Sequence, residues 1–196
     1  YGTWALNTAS GYYQTGGAAN LSSSIANANT LGDVTFEARM NRSGTCTTCA
    51  NRVILRGTPT VLDASKNWLP SYSFQYSNAG TYSVYARNGS GVVTTVKGWT
   101  LSSAIVPNSW NRLKVVAVGS SLQFYINSVL VWSGTNSSIA VGKVGVGYFR
   151  DAAAGTLLVD YANGVSTPTA DRMADVAVAD AAPALSGGSI DRSPRP

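Results

Sequence analysis

Apolar and polar residues alternate along most of this chain. The longest clean run is WNRLKVVAVGSSLQFYINSVLVWSG, from Trp110 to Gly134. Within it Leu113, Val115 and Ala117, then Leu122, Phe124 and Ile126, then Val129 and Val131 recur at every second position. A period of two puts alternate side chains on opposite faces of an extended strand. The breaks, Gly119-Ser120 and Asn127-Ser128, are short polar pairs of the kind that reverse one antiparallel strand into the next. The segment therefore predicts a three-strand meander. The same alternation recurs in GDVTFEARM (Val34, Phe36, Ala38, Met40), NRVILRG, YSFQYS (Tyr72, Phe74, Tyr76), TYSVYAR (Tyr82, Val84, Ala86), VVTTVKGW, GKVGVGYF and LLVDYA. With an aromatic opening segment at Tyr1–Trp4 this makes about eleven or twelve strands, and no segment has sustained helical spacing. The prediction is an all-β antiparallel two-sheet sandwich or jelly roll, with Leu113, Val115, Leu122, Phe124, Ile126, Val144 and Val146 facing inward.

The pattern stops near Gly164. Residues 166–196 are rich in Ala, Pro, Ser and Asp and contain no aromatic residue. Residues 1–165 are thus expected to form the sandwich and 166–196 an extended tail. Pro168, Pro183, Pro194 and Pro196 forbid a long helix there. Val176 and Val178 sit two apart, so both can enter one groove as an added strand. Residues 168–196 are expected to dock in extended form, on their own domain or on a neighbouring copy; the second case would link copies into a filament or layer.

Composition narrows the function classes. Charged residues are only 12% of the chain, so hydroxyls and amides carry its solubility, as is common in secreted and surface proteins. The net charge is +5, but Lys and Arg are scattered singly from Arg39 to Arg150. Nucleic-acid binders concentrate charge in a stripe, so no nucleic-acid partner is expected. No run approaches the ~18–20 apolar residues of a membrane span. The chain begins with Tyr1, which fits a mature chain freed of its leader, or a piece of a larger one. An extracellular or cell-surface location is expected. Cys46 and Cys49 lie in SGTCTTCAN, a polar loop between strand patterns. Zinc needs about four ligands and the chain has no His. A redox Cys-x-x-Cys belongs at a helix start. A local disulfide is expected, contributing at most about 2 kcal/mol for so small a ring.

The order of segments resembles the concanavalin A-like, laminin-G-like jelly rolls of bacterial surface and secreted proteins. The residues that carry the resemblance are Trp110-Asn111, the Gly119-Ser120 turn, Phe124-Tyr125-Ile126-Asn127, and Gly142 through Gly147. Many relatives have Gly after that Asn, where this chain has Ser128. The resemblance spans nearly all of residues 1–165. It implies the jelly-roll fold and a choice among lectins, binding modules, glycosidases, lyases and adhesion domains.

Catalysis finds little support in the residues. Without His, Ser-His-Asp and Cys-His chemistry are excluded in their ordinary forms. Glycoside hydrolysis commonly needs two carboxylates about 5–10 Å apart. Glu37 is the only glutamate, and nothing matches the E-x-D-x-x-E pattern of jelly-roll glycosidases. Glu37 points opposite to Phe36, toward solvent or into a groove. Asp160 is isolated, a candidate to pair with a backbone group or an Arg. Asp33, Asp63 and Asp151 are single acids rather than a D-x-D-x-D loop, so no metal site or cofactor is expected, although related jelly rolls often hold calcium. The chain is not expected to be an enzyme.

Sugar sites on sheets combine aromatic planes with polar groups at i, i+2 spacing on one face. Tyr72, Phe74, Tyr76, Tyr82 and Val84 form the more apolar phase and are assigned to the core. Ser73, Gln75, Ser83, Tyr85 and Arg87 form the other phase, which Arg52 and Arg56 can join. Trp68, in the polar loop SKNWLP, is the candidate for an exposed platform. The expected ligand site is Trp68, Tyr85, Arg87, Gln75 and Arg56, and the expected partner is a polysaccharide or glycan. The chain reads as a non-catalytic extracellular carbohydrate-binding or adhesion domain. The alternative is a structural subunit that assembles through its tail.

Overall fold

The computed structural model describes residues 1–16, 18–151 and 155–166. They form thirteen strands and no helix: β1 (Thr3–Asn7), β2 (Tyr12–Gly16), β3 (Leu21–Leu31), β4 (Val34–Gly44), β5 (Asn51–Gly57), β6 (Ser71–Tyr76), β7 (Thr81–Arg87), β8 (Val93–Leu101), β9 (Asn111–Val118), β10 (Ser121–Ile126), β11 (Val129–Thr135), β12 (Gly142–Arg150) and β13 (Gly155–Ser166). A seven-stranded sheet runs β1-β2-β13-β4-β9-β10-β11 and a six-stranded sheet runs β3-β12-β5-β6-β7-β8. All pairings are antiparallel. The two sheets pack face to face as a jelly-roll sandwich.

The core is the set of inward phases. Val34, Phe36, Ala38 and Met40 of β4, with Leu113, Val115, Leu122, Phe124 and Ile126 of the meander, meet Val53, Leu55, Tyr72, Phe74, Tyr76, Val84, Val144 and Val146 from the other sheet. Each of these is buried, as the alternation predicts. The Phe74 and Phe124 rings meet edge-on, their centroids 5.5 Å apart. Core tyrosines bring their hydroxyls to partners at the rim: Tyr72 donates to Asn136 Oδ1 at 2.7 Å, and Tyr82 to the Val131 carbonyl at 2.6 Å.

Two motif asparagines fix one end of the sandwich. Asn111 is fully buried; its amide donates to the carbonyls of Val106 and Ser109, while its Oδ1 accepts from the Val106 amide and from Asn127 Nδ2. Asn127 Nδ2 also reaches the Ala104 carbonyl. The loop crossing from β8 to β9 is thus tied to the β10–β11 turn, where Asn127 and Ser128 both have positive φ, 49° and 72°. That is the two-residue hairpin geometry. Cys46 and Cys49 are disulfide-bonded in the link from β4 to β5.

Two strands escape the sequence pattern, β2 and β3. In β3 (LSSSIANANTL) three consecutive serines are buried, against β12. Gly147 of β12 lies so close that a Cβ there would fall 2.5 Å from the Ser23 carbonyl oxygen. Small side chains rather than alternating hydrophobes allow this approach. The expected tail, its docking strand at Val176 and Val178, and its role in assembly all fall beyond Ser166, outside the described residues.

Candidate functional site

The outer face of the six-stranded sheet carries a polar row across four strands. Arg52 of β5 pairs with Gln75 of β6, and Gln75 with Ser83 of β7. On β8 the register slips: Tyr82 pairs with Thr100 and Val84 with Lys97, which leaves Gly98 and Trp99 opposite Ser83. Such a bulge re-aims the extra residue. Trp99 is left 43% exposed at the end of the row. At the other end Gly147 of β12 faces Arg52 and adds no side chain, which deepens the surface there. The β4–β5 link forms one wall through Thr48 and Ala50, and the β5–β6 loop the other through Ser65 and Asn67. With Arg52, Gln75, Arg87, Trp99 and Phe149 they enclose a groove of about 320 Å³.

Hydrogen bonds hold the polar groups in place. Asn67 is the hub. Its Oδ1 accepts from Arg52 Nη1 at 2.8 Å and from the Ser22 hydroxyl at 2.7 Å. The Asn67 Nδ2 and backbone amide donate to the two oxygens of Asp63, at 2.9 and 2.8 Å. Gln75 Nε2 donates to the Ser83 hydroxyl at 2.8 Å, and Arg87 Nη1 to the Ser73 hydroxyl at 3.2 Å. Burial, and after it the nearby charge of Arg87, push the Arg52 guanidinium down from its ordinary value, with Asp63 opposing. Burial lowers Arg87 as well, against Asp63 and Tyr85. Charge at the base of this groove is therefore costly, and the protein keeps it there.

The residues expected at a ligand site separate. Gln75 and Arg87 line the groove. Tyr85 shares the face, paired with Ser73 and Thr95, but stands outside the groove walls. Trp68 is not an exposed platform: it is 1% exposed. The β5–β6 loop folds back on the sheet, Leu62 bridging to Trp68, and lays the indole over Gly57 and Gly145. A Cβ on either glycine would come within 2.5 Å of the ring. Arg56 is also diverted. A register shift between β5 and β12 and a φ of 49° turn it off the groove face. Its guanidinium donates to the carbonyls of Gly32, Ile139 and Gly119 at 3.1, 3.0 and 2.8 Å, with Asp33 at 3.7 Å.

Trp99 and Asn67 are groove residues that sequence reasoning passed over. Nothing in VVTTVKGWT announces the bulge, although Gly98 before a Trp in a strand is its one local sign. Other candidate groups lie elsewhere. Glu37 is on the opposite sheet, its Oε1 accepting from the Tyr161 hydroxyl at 2.6 Å and 3.9 Å from Arg112 Nε. Asp160 pairs with Arg39 at 2.6 Å. A second cleft of about 220 Å³ opens between the sheets beside Tyr13, Ile25, Phe36 and Tyr161. Its Asp160 is already paired and its walls are mostly apolar, so it offers less polar recognition than the groove.

No protein-family model and no curated protein sequence matches the chain. Solved structures do. The carbohydrate-binding module CBM66 from Bacillus subtilis superposes with a TM-score of 0.65 at 20% identity, covering 85% of this chain and 92% of that one. A β-glucanase from Bacillus licheniformis gives 0.61 at 12% identity, over 82% and 81%. A glycosyl hydrolase-like protein from Parabacteroides distasonis gives 0.56 at 12% identity, over 84% and 90%. At these identities the likeness is one of fold, and the fold serves both binding and hydrolysis.

Proposed function

We propose that this chain is a non-catalytic extracellular carbohydrate-binding domain and that its site is the groove on the outer face of the six-stranded sheet. The observation that carries this reading is the exposed Trp99 indole at the end of a row of fixed polar groups, Arg52, Gln75 and Asn67. An aromatic plane accepts the apolar face of a sugar ring, and pre-organised donors and acceptors read its hydroxyls. A binding role is favoured over hydrolysis by the carboxylates. Asp63 beside the groove has both oxygens engaged by Asn67, and Glu37 is on the other sheet. A hydrolytic pair needs two carboxyl groups across one bond. The disulfide and the low charge support an extracellular setting.

The test is a glycan array followed by titration calorimetry on the strongest hits. Trp99→Ala should weaken binding about tenfold or more, as truncation of an aromatic anchor does. The variant's far-UV circular dichroism should match the parent, because Trp99 is a half-exposed side chain. Binding that is indifferent to Trp99→Ala would remove the groove from consideration.

A further inference from the structure

We propose that the groove selects an acidic sugar, a glycan unit bearing a carboxylate or sulfate group seated against Arg52 and Arg87. The inference rests on the carbohydrate-binding reading and specifies its ligand class.

The argument starts from unpaired donors. Arg52 is 2% exposed, yet among the described residues the only hydrogen bond of its side chain goes to Asn67 Oδ1. Its Nε and Nη2 are buried with no partner among the described residues, and so is Nε of Arg87. Neither arginine makes an ion pair among the described residues. Asp63 is the carboxylate that acts on both, and its two oxygens are taken by Asn67. The groove therefore holds two cations against one acid, which bonds to Asn67 and to neither arginine.

Other arginines of this protein are treated differently. Arg56 reaches three carbonyls, Arg39 pairs with Asp160, and Arg112 lies beside Glu37. Arg42 and Arg150 also leave buried donors unpaired among the described residues, but neither lines the groove, and Arg42 stacks 4.7 Å from the centre of the Tyr148 ring. A buried guanidinium with free donors is costly unless something pairs with it. Arg52 lines the groove from beneath, so a ligand reaches its buried donors only by seating deeply against it. Its electrostatic demand is for anionic oxygens, which a guanidinium takes with strong charge-assisted bonds. A neutral hydroxyl satisfies a donor without answering the charge. Trp99 along the same row supplies the sugar-ring contact, which makes the anion a substituent of a sugar rather than a free ion.

Affinity electrophoresis separates the possibilities. The probes are polygalacturonate and its methyl ester, in which each carboxylate is replaced by a neutral ester on the same backbone, and carrageenan and agarose, a sulfated and a neutral galactan. Because the chain carries a net charge of +5, any polyanion will retard it somewhat. The control is therefore Arg112→Gln, which removes one positive charge from the opposite sheet. The expected result is retention by polygalacturonate or carrageenan at least about tenfold stronger than by its neutral counterpart. Arg87→Gln should erase that difference, while Arg112→Gln should leave it nearly intact. Arg87 is half-exposed, so its variant should keep the parent circular dichroism; Arg52→Gln is the second variant, read only if it folds. The polymer that is retained tells carboxylate from sulfate.

Equal losses in Arg87→Gln and Arg112→Gln would show diffuse attraction and overturn the proposal. Trp99-dependent binding of a neutral glycan, as strong as that of any acidic one, would also overturn it while leaving the carbohydrate reading standing. Failure of both acidic probes, with no Trp99-dependent binding on a glycan array, would remove both.

Discussion

Replacing Arg56 should test whether a buried arginine holds the two sheets together. The guanidinium is almost fully buried and bonds to carbonyls in three separate links: Gly32 between β3 and β4, Gly119 between β9 and β10, and Ile139 between β11 and β12. The Gly119 turn joins two strands of the seven-stranded sheet, while Arg56 extends from the six-stranded one. Arg56→Met keeps the stem and the bulk but leaves three carbonyls without their donor. Breaking a buried, hydrogen-bonded charge typically costs about 3–5 kcal/mol, a large share of a domain stability of about 5–15 kcal/mol. Arg56→Lys keeps the charge, but one ammonium cannot span three carbonyls in a fork, so a loss of about 1–3 kcal/mol is expected. The φ of 49° is equally strained for Arg, Met and Lys, so backbone strain cancels from the comparison. Urea unfolding followed by tryptophan fluorescence gives these differences at constant slope. Groove binding by Arg56→Lys should equal the parent, because the side chain leaves the groove face. A loss below about 1 kcal/mol in Arg56→Met would refute the reasoning, since desolvation would then offset all three bonds. A binding defect in a folded Arg56→Lys would refute the assignment of Arg56 to structure.

Ser128→Gly should stabilise the domain by about 0.5–1 kcal/mol in urea unfolding, because residue 128 sits at φ 72° and Gly has no steric penalty there; the cost is the exposed Arg112–Ser128 hydrogen bond. Burial raises the Tyr76 phenol above its ordinary value. The stability it contributes is therefore fully present below pH about 10 and falls as pH rises beyond it, by up to about 1.4 kcal/mol per pH unit for each such group. Tyr76→Phe should flatten this alkaline slope, while burial of Tyr82 and Tyr161 maintains part of it. Trp68→Ala should cost about 3–5 kcal/mol by denaturation, as for other buried aromatics, and should also weaken groove binding by releasing the neighbouring Asn67.

The sandwich was legible because its core depends on period-two burial, which sequence displays directly. Tyr72, Phe74 and Tyr76 against Ser73 and Gln75 is such a case: the inward and outward phases fall where alternation puts them. β3 was not legible because its buried positions are serines, chosen for close approach to Gly147 rather than for hydrophobicity. The candidate groove was legible only in part. Arg52, Gln75 and Arg87 follow strand phase, but Arg56 and Trp99 lie at bulges, where one extra residue reverses the phase. Trp68 failed for another reason. Its neighbours Lys66 and Asn67 are polar, yet Asn67 is buried as the hydrogen-bond hub of the groove wall. A polar sequence marks a loop; it does not say whether the loop faces water or folds back on its sheet.

The two tryptophans on this face show how one sheet surface serves both as scaffold and as candidate site. Under Trp68 the sheet carries no side chain at Gly57 and Gly145, so the indole packs directly on it and closes the β5–β6 loop over one half of the face. That closure seats Asn67 where it can hold Arg52 on one side and Asp63 on the other. The other half stays open, and there the Gly98–Trp99 bulge on an edge strand offers an indole to solvent. The buried indole contributes through packing and its Nε1 has no hydrogen-bond partner among the described residues; the exposed one adds little to packing and is open to solvent. A rigid wall and an accessible platform are what pre-organised recognition requires, because the cost of fixing the polar groups has then been met during folding rather than at binding.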